Sequence, residues 1–360
     1  MNMLFRSKWK VGLVVLLALL FLLSFFFKND TIFSLYERYC FLPYQQLRSC
    51  LLNRVPFSVG DILYSLLFIV LVLSIGRLIS YLIRWRRKKT ELRKLLLRSI
   101  VSLSVVYLLY FYSWGANYAR NKIWQPTTDT AWSLEQLTAL NDTLISSLNI
   151  LPDYDQTLSL QETNGLVKHV YEGYWGKSVP DLQVKPSLFG SSMYYIGIQG
   201  YYNPLTGEAQ FAQSLPVFMW GFVLAHEMAH QAGVAAEGEA NFMAYVMCVK
   251  SQNESLKYSA YFNLLLYANR ELARKDSVLA GQKLNLLKPE VLQDMEELKT
   301  MRGQYKSIFK GTALAIYNWM LQSQGQKKGL KSYSDISRLV YLWEHAQEPE
   351  IKLYQKRKRS

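Results

Sequence analysis

Three apolar stretches dominate the N-terminal third of the chain. They cover residues 11–27, 62–83 and 95–114, and each is long enough and poor enough in charge to cross a bilayer as a helix. The first follows a basic segment and has no small-residue cleavage site, so we interpret it as an uncleaved span and not as a signal peptide. The pattern predicts three transmembrane helices within a membrane anchor of residues 1–118.

A dense basic run separates the second span from the third. Residues 84–94 are rich in arginine and lysine, and short loops of this kind stay in the cytoplasm. With the N-terminus and this loop inside, three spans place everything after residue 116 outside the cytoplasm. The basic tail at 356–359 opposes this orientation only weakly, because long domains cross a membrane largely regardless of charge.

The segments outside the three spans are of two kinds. Residues 28–57 are predicted as a mixed loop with at most a short helix lying on the bilayer. Residues 119–360 show the spacing of amphipathic helices and form a second domain. The segments predicted as helices in this domain are 134–148, 158–174, the stretch after Pro216, 236–251, 258–272, 290–305, 307–322 and 334–345.

One segment of the second domain has a different pattern. Residues 194–212 are rich in aromatic and β-branched side chains. The pairs Asn203-Pro204 and Thr206-Gly207 within them are turn signals, so the segment is predicted to form a β-hairpin. The fold class is therefore mainly α with one small hairpin.

The charge and the cysteines limit the partners of the chain. The formal net charge is +14, but much of the excess flanks the apolar spans. The sequence has no Gly-rich phosphate loop and no nucleic-acid module, so the lipid bilayer is an expected partner and a nucleic acid is not.

Cys40 and Cys50 lie in one segment, and we interpret them as free thiols, with a disulfide as the alternative.

The most specific chemistry lies in the sequence His226-Glu227-Met228-Ala229-His230, an H-E-x-x-H motif. On a helix, residues four apart lie one turn apart on the same face, so both imidazoles can reach one metal ion. Glu227 lies beside them and can act on a water at the metal as the catalytic base. Gly233 suits the end of this helix. The alternative is a buried helix whose two histidines bind no metal.

A catalytic zinc usually takes three protein ligands and leaves one position open. Glu237 and Glu239 are the nearest acidic candidates after the turn at Gly233. If the chain folds back as a helical hairpin, Glu237 and Asn241 share one face. Glu237 is therefore the predicted third ligand, and Asn241 the hydrogen-bond partner of a ligand histidine. Glu239 is the alternative third ligand. The ligand types favour one Zn²⁺ over another divalent ion.

Five motifs together resemble a known family. They are PFSVGD at 56–61, WGANYAR at 114–120, GIQGYYNP at 197–204, TGEA at 206–209 and HEMAHQAGVAAEGEANF at 226–242. In order and spacing, over nearly the whole chain, they resemble an uncharacterised bacterial membrane-protein family, the domain of unknown function 3810. The resemblance implies a zincin-like protein of the bacterial cytoplasmic (inner) membrane and names no substrate.

Residues 237–241 also resemble the second metal motif of gluzincin peptidases, in which a glutamate ligand is followed four residues later by an aspartate. Carried over, Glu237 takes the ligand position, and Asn241 stands where the aspartate would be. The gap between His230 and Glu237 is shorter than in many gluzincins. The resemblance implies that residues 119–360 form an extracytoplasmic zinc metallopeptidase domain that hydrolyses peptide bonds.

Two further expectations follow from a peptidase activity. A peptide or protein substrate would pair along the 194–212 hairpin, although a hairpin that only covers the core is equally compatible with the sequence. Tyr245 is a candidate for an extra oxyanion donor, with a core tyrosine as the alternative. A hypothesis of another class is a non-catalytic cell-envelope module, in which the metal site is structural and closed by a fourth ligand.

Overall fold

The computed structural model describes residues 2–125, 132–175, 180–323 and 335–346. In these ranges the chain is mainly helical, as predicted, with one small sheet. The N-terminal helices are α1 (Asn2–Ser24), α2 (Asp30–Tyr36), α3 (Leu42–Leu52), α4 (Val59–Ile83) and α5 (Trp85–Ser113). The later elements are α6 (Leu134–Ile150), α7 (Leu160–Trp175), β1 (Val184–Pro186), β2 (Gly200–Tyr202), β3 (Ala209–Phe211), α8 (Val217–Gln231), α9 (Glu237–Val249), α10 (Glu254–Lys275), α11 (Ser277–Leu284), α12 (Pro289–Gln304), α13 (Lys310–Ser323) and α14 (Asp335–Glu344). The basic tail at 356–359 lies outside the described residues.

Among the described residues, α4 and α5 are the helices that are long and apolar enough to cross a membrane. They run antiparallel, because the start of α4 and the end of α5 reach the same turn. The Ser113 hydroxyl donates to the Pro204 carbonyl at 3.0 Å, and Gly60 lies against Asn203. Two of the three predicted spans therefore meet this test as single helices.

The first predicted span, 11–27, falls on α1 and a 3₁₀ turn, Phe25–Lys28. Within the described residues, Leu13–Lys28 meets the length and apolarity test only together with Asp30–Leu52, and the chain bends by 115° between the two. The bend falls at Asn29, whose side chain caps α2 by accepting from the N–H groups of Thr31 and Ile32. Such a cap starts a new helix in a new direction.

The prediction of a loop at 28–57 was wrong for most of its length. Residues 30–52 are helical throughout, with one π-helical turn, Glu37–Phe41, between α2 and α3. The cap at Asn29 is the sequence signal that indicates this helical start, and Pro43 suits the first turn of α3. Cys40 and Cys50 are free and exposed and do not pair.

The basic segment 84–94, predicted as a loop, is helical from Trp85 onward. Only Arg84 and Lys88 have non-helical backbone angles, and they form the tight connection between α4 and α5. The remaining arginine, lysine, glutamate and leucine residues are strong helix formers. Lys88 and Glu91 add an ion pair at 3.3 Å across one turn.

The core of the second domain surrounds α8. This helix pairs with α9 through residues 232–236, and α6, α7, α10 and α14 pack around the pair. Helices are present at every position predicted from periodicity in this domain, with ends shifted by a few residues. The sequence did not predict α11, which begins after the N-cap Asp276, whose side chain accepts from the Leu279 N–H at 2.9 Å.

The three strands form one mixed sheet in the order β1-β3-β2. Strand β1 runs parallel to β3, and β2 runs antiparallel to it, with Gly200 opposite Phe211. The predicted hairpin is present, although its paired strands are shorter than 194–212. Gly190–Ile196 forms a 3₁₀ helix instead of a strand. Strand β2 is an edge of the sheet, and β1 was not predicted.

The sheet is fixed to the first turn of α4. The buried Glu208 carboxylate accepts from the N–H groups of Gly60 at 2.7 Å and Val59 at 3.2 Å, and it pairs with Lys185 at 2.9 Å. The first N–H groups of a helix have no partner inside the helix and favour a carboxylate. The hairpin and the end of a candidate span are therefore packed as one unit.

The end of α5 packs against the H-E-x-x-H helix. The indole N–H of Trp114 donates to the carbonyl of His230 at 3.3 Å across 116 positions of sequence. Arg120 donates to the carbonyl of Gly233 at 3.0 Å. The anchor and the domain, which the sequence divides at residue 118, thus lie in direct contact beside the candidate site.

Candidate metal centre

The H-E-x-x-H motif occupies the last two turns of α8, a helix that is apolar on nearly every face. Phe222, Leu224 and Met228 are all buried. The helix ends at Gly233, which has φ +87°, and a Cβ there would lie 2.6 Å from the Phe41 ring. Glycine is thus required both by the left-handed backbone and by the close approach.

This C-terminal turn also orients one histidine. The N–H of Val234 donates to the carbonyl of Ala229 at 3.0 Å, which folds the chain back over the helix end. The Val234 carbonyl then lies 2.7 Å from Nδ1 of His230. A carbonyl can only accept a hydrogen bond, so Nδ1 of His230 carries the proton of the neutral imidazole. Nε2 of that imidazole then has the lone pair that a metal ion needs.

The turn brings Glu237, the first residue of α9, back to both histidines. Oε2 of Glu237 lies 3.3 Å from Nε2 of His226 and 3.6 Å from Nε2 of His230. The two Nε2 atoms are 3.1 Å apart. All three side chains are nearly buried, with 6–12% of their surface exposed. The three residues predicted as ligands are thus brought together.

These distances fit a tetrahedral ion. Metal–ligand bonds of about 2.0–2.2 Å give ligand–ligand edges of about 3.3–3.6 Å in a tetrahedron. The observed edges of 3.1, 3.3 and 3.6 Å agree with that range to about 0.2 Å. The spacing of the three ligand atoms is therefore compatible with one divalent ion.

The electrostatics of the cluster also favour a cation. Burial lowers the pKa of His230, but the Glu237 carboxylate beside it raises the pKa overall, to about 9. Burial lowers the pKa of His226. Burial raises the pKa of Glu237, yet the two imidazoles hold it well below its usual range. Positive charge is therefore stabilised at the point where Nε2 of the two histidines and Oε2 of Glu237 converge, and a metal ion bound there would replace the proton on Nε2 of His230.

Asn241 lies one turn beyond Glu237, beside His226. Its side chain forms a hydrogen bond that partly offsets the effect of burial on the pKa of His226. Nδ1 of His226 and Nδ2 of Asn241 are both buried without a hydrogen-bond partner among the described residues. The amide oxygen of Asn241 would supply the acceptor that a ligand histidine needs at Nδ1.

Glu227 lies between the histidines and the sheet. It is buried, and its Oε2 has no hydrogen-bond partner among the described residues. Burial, with a smaller contribution from Glu237, raises the pKa of Glu227 to about 8, against the lowering effect of His230. A Cβ on Gly200 of β2 would lie 2.6 Å from Oε1 of Glu227. Only glycine lets this edge strand pass so close to the predicted base.

The structure does not bring the alternative ligand Glu239 into the cluster. Its carboxylate faces Arg120, Lys122 and the N–H of Ile123, and burial raises its pKa to about 7. Tyr245, the candidate oxyanion donor, is buried in the core and donates to Glu344 instead. The first turn of α9 thus directs Glu237 inward and Glu239 toward the end of α5.

Tyr317 on α13 is a residue of the site that the sequence did not reveal. Its hydroxyl donates to Oε1 of Glu237 at 2.6 Å, across 80 positions of sequence. No local motif marks it, because the contact depends on where α13 crosses the α8–α9 hairpin. Because the Tyr317 hydroxyl binds Oε1 of Glu237, the other oxygen, Oε2, faces the histidines.

Two candidate spans and a cluster of two histidines and one glutamate define a mainly helical, membrane-associated protein with a potential metal centre. The chain belongs to the family described as protein of unknown function (DUF3810), whose model matches residues 36–341. This confirms the family resemblance drawn from the motifs. No curated protein and no solved structure matches the chain. Function must therefore be argued from the centre itself.

Proposed function

We propose that this protein is a membrane-anchored zinc metallopeptidase that hydrolyses peptide bonds outside the cytoplasm. The observation that carries the proposal is the set of edges of 3.1, 3.3 and 3.6 Å between the ligand atoms of His226, His230 and Glu237. Two imidazole nitrogens and a carboxylate oxygen form a ligand set typical of catalytic zinc. Glu227 adjoins that set in the position of a general base.

The number of ligands favours a catalytic site over a structural one. Within the described part of the chain, the cluster holds three side chains of the metal-binding types. Three protein ligands leave a tetrahedral ion one position for water or substrate, whereas structural sites have four. The rival hypothesis of a non-catalytic envelope module with a structural metal requires a fourth ligand.

The residues have separate roles in this proposal. His226, His230 and Glu237 would hold a zinc ion, which would supply Lewis acidity to the scissile carbonyl and to the attacking water. Glu227 takes a proton from that water and passes it to the leaving amine. Asn241 and the Val234 carbonyl hold the two imidazoles in the tautomer that coordinates through Nε2. Tyr317 holds Glu237 in place.

The substrate in this proposal is an extended peptide. Strand β2 is a sheet edge, and its Gly200 lies directly beside Glu227. An added strand that paired with β2 would carry its backbone past the base and the cluster. This supports the 194–212 hairpin as the segment that binds substrate.

The membrane arrangement belongs to the same proposal. We infer that α1 adds a third span to α4 and α5 and that the N-terminus and residues 84–94 lie in the cytoplasm. The domain then lies outside the bacterial inner membrane. Because Glu208 binds the first turn of α4, the cluster lies close to the membrane surface. A substrate whose scissile segment is near the bilayer suits this position.

The test uses the full chain in lipid nanodiscs. Metal content is measured by mass spectrometry, and hydrolysis is measured on a mixture of unstructured peptides. We expect a single zinc ion per chain. We expect Glu227→Gln to keep the zinc but to lower hydrolysis by about 10²–10⁴-fold. Glu239→Gln is the matched control, because the Glu239 carboxylate faces Arg120 and Lys122 and not the cluster, and it should change neither. Hydrolysis that is unchanged in Glu227→Gln eliminates the assigned base.

A further inference from the structure

Helix α13 has an exposed face that is apolar along its length. Ile316 is 62% exposed and Trp319 is 69% exposed. Phe309, in the turn just before the helix, is 67% exposed, and Ile308 beside it is 89% exposed. Within the helix, positions 312, 315, 316, 319 and 320 recur at helical spacing and form one stripe, and the exposed residues 308 and 309 lie in the turn that precedes it.

The opposite face of α13 fixes its orientation. Leu321 is fully buried, and Tyr317 donates to Glu237 of the metal centre. Lys310 and Leu314 pack over Gly197, at the end of the 3₁₀ helix Gly190–Ile196. The helix is therefore held by one face, and the apolar stripe points away from the domain.

The apolar surface continues from α13 to the start of α4. In the 3₁₀ helix that packs against α13, Tyr195 is 44% exposed and Ile196 is 37% exposed. Leu188, just before it, is 56% exposed. The N–H of Leu188 donates to Oδ2 of Asp61, in the first turn of α4, at 2.6 Å. Exposed apolar side chains are thus present both on α13 and in residues 188–196, the segment that connects α13 to the first turn of α4 through the contacts at Gly197 and Asp61.

The length of the span sets the level of the membrane at this point. Residues 62–83 of α4 are apolar and largely exposed. At 1.5 Å per residue they measure about 33 Å, close to the hydrocarbon thickness of about 30 Å. The hydrocarbon boundary therefore falls near Ile62, directly beside Asp61. Leu188 lies at the level of the lipid headgroups.

The charges beside the stripe complement a bilayer surface. Lys306 and Lys310 are exposed and flank Ile308 and Phe309. Basic residues that border apolar side chains are typical of segments lying in the interface of a membrane with anionic lipids. Tryptophan is also enriched at that level, and Trp319 occupies the middle of the stripe.

We propose that α13, together with Leu188 and residues 195–196, forms a membrane-docking surface that lies in the headgroup layer beside the start of α4. The occupant of this surface is the lipid bilayer that α4 and α5 cross. Its continuity with the start of α4 and its basic border favour lipid over a second copy of the chain or another protein. This proposal does not depend on the metal or on peptidase activity.

The test is a depth measurement on the full chain in nanodiscs that contain phosphatidylglycerol. The exposed thiols are removed by Cys40→Ser and Cys50→Ser, and a nitroxide is attached at Ile316→Cys, Trp319→Cys or Glu296→Cys in separate samples. Glu296, on α12, is 65% exposed and serves as the control for a site in water. Collision rates with oxygen, which enters lipid, are compared with those of a polar nickel chelate.

We expect the oxygen-to-nickel ratio at 316 and 319 to exceed the ratio at 296 by about threefold or more. A ratio at 319 equal to that at 296 would place the stripe in water and overturn the proposal. Low collision rates with both reagents would mean that protein covers the stripe, which also overturns it.

A second measurement does not depend on labels. The double substitution Ile316→Asp and Trp319→Asp places two charges on the stripe. We expect amide hydrogen exchange in 310–323 to rise severalfold in nanodiscs, while exchange in 217–249 stays unchanged and reports intact folding. Unchanged exchange in 310–323 would contradict contact with lipid.

Discussion

The hydroxyl of Tyr317 donates to Oε1 of Glu237 at 2.6 Å, while Oε2 of the same carboxylate faces both histidine nitrogens. The two oxygens of Glu237 therefore have different partners. A carboxylate held in this way would offer one oxygen to a metal ion, because the hydrogen bond from the tyrosine restricts its rotation.

The first prediction concerns this contact. Tyr317→Phe removes the hydroxyl and keeps the ring, so Glu237 becomes free to rotate. We expect the affinity for zinc to fall by about 10–100-fold, measured by competition with a chelator. Tyr245→Phe is the matched control, because the hydroxyl of Tyr245 donates to Glu344 and not to the cluster. Equal zinc affinity in the two variants would show that Tyr317 does not support the metal site.

The second prediction separates the two acidic candidates of α9. Glu237→Gln keeps the shape of the side chain and removes the charge that faces His226 and His230. We expect this variant to lose zinc at a chelator concentration that leaves the wild type loaded. The Glu239→Gln variant should keep its zinc, because the carboxylate of Glu239 in the wild type faces Arg120 and Lys122. Loss of zinc from the Glu239 variant alone would reverse the assignment.

Glu237 and Tyr317 differ in whether their place in the site can be predicted from the sequence. His226, His230 and Glu237 lie within one helical hairpin, so helical periodicity and one glycine turn were enough to predict that they meet. Tyr317 reaches the same point from a helix 80 positions away, and periodicity does not say where one helix crosses another. The contact between Gly200 and Glu227 could not be predicted from the sequence for the same reason.

The helices that were not predicted begin at local signals. Asn29 and Asp276 each cap a helix that was not predicted, and both signals are present in the sequence. The basic run at 84–94 was interpreted through its charge, although its arginines, lysines and leucines also favour helix. Contacts such as that of Glu208 with the start of α4 depend on tertiary packing and could not be predicted from the sequence.

The third prediction tests the approach of β2 to Glu227, the proposed base. A Cβ at position 200 would lie 2.6 Å from Oε1 of Glu227 and 2.9 Å from the carbonyl of Gln210. Gly200→Ala must therefore displace the strand or the base, and a displacement of about 1 Å costs on the order of 10²-fold in rate. We expect hydrolysis to fall by that order while zinc is retained.

The control for this substitution is Gly165→Ala on α7, where an added Cβ meets nothing within 4 Å. Alanine is favoured over glycine in an exposed helix by about 1 kcal/mol, so this variant should melt slightly higher and hydrolyse peptide normally. If both alanine variants hydrolyse peptide at the wild-type rate, the close approach of β2 does not control the position of Glu227.

The fourth prediction concerns the junction between the sheet and α4. Glu208→Gln leaves Lys185 buried without its counter-charge and weakens the acceptor for the Gly60 N–H. Breaking a buried pair in this way costs about 3–5 kcal/mol. We expect a lower melting temperature in nanodiscs and faster hydrogen exchange in 200–211. Glu296→Gln, which breaks a largely exposed pair with Lys299, should change stability by about 0–1 kcal/mol.

The last prediction concerns the dependence of stability on pH. Asp294 is buried beneath Tyr258, whose hydroxyl donates to it. Burial, with further contributions from Glu297 and Asp153, raises the pKa of Asp294 to about 6 from its usual value of 3.8. The folded state therefore holds a proton on Asp294 that the unfolded chain releases. Its contribution to stability is complete below pH 3.8 and is lost as the pH rises through 6.

The difference in pKa corresponds to at most about 3 kcal/mol. Asp294→Asn is neutral at every pH, so this loss of stability should be absent from the variant. We expect the melting temperature of the wild type, relative to Asp294→Asn, to fall between pH 4 and pH 7. Carboxylates distant from Asp294 titrate equally in both proteins, so the difference between the two melting curves reports Asp294 together with its neighbours Glu297 and Asp153. Parallel curves over that range would show that Asp294 is already ionised in the folded protein.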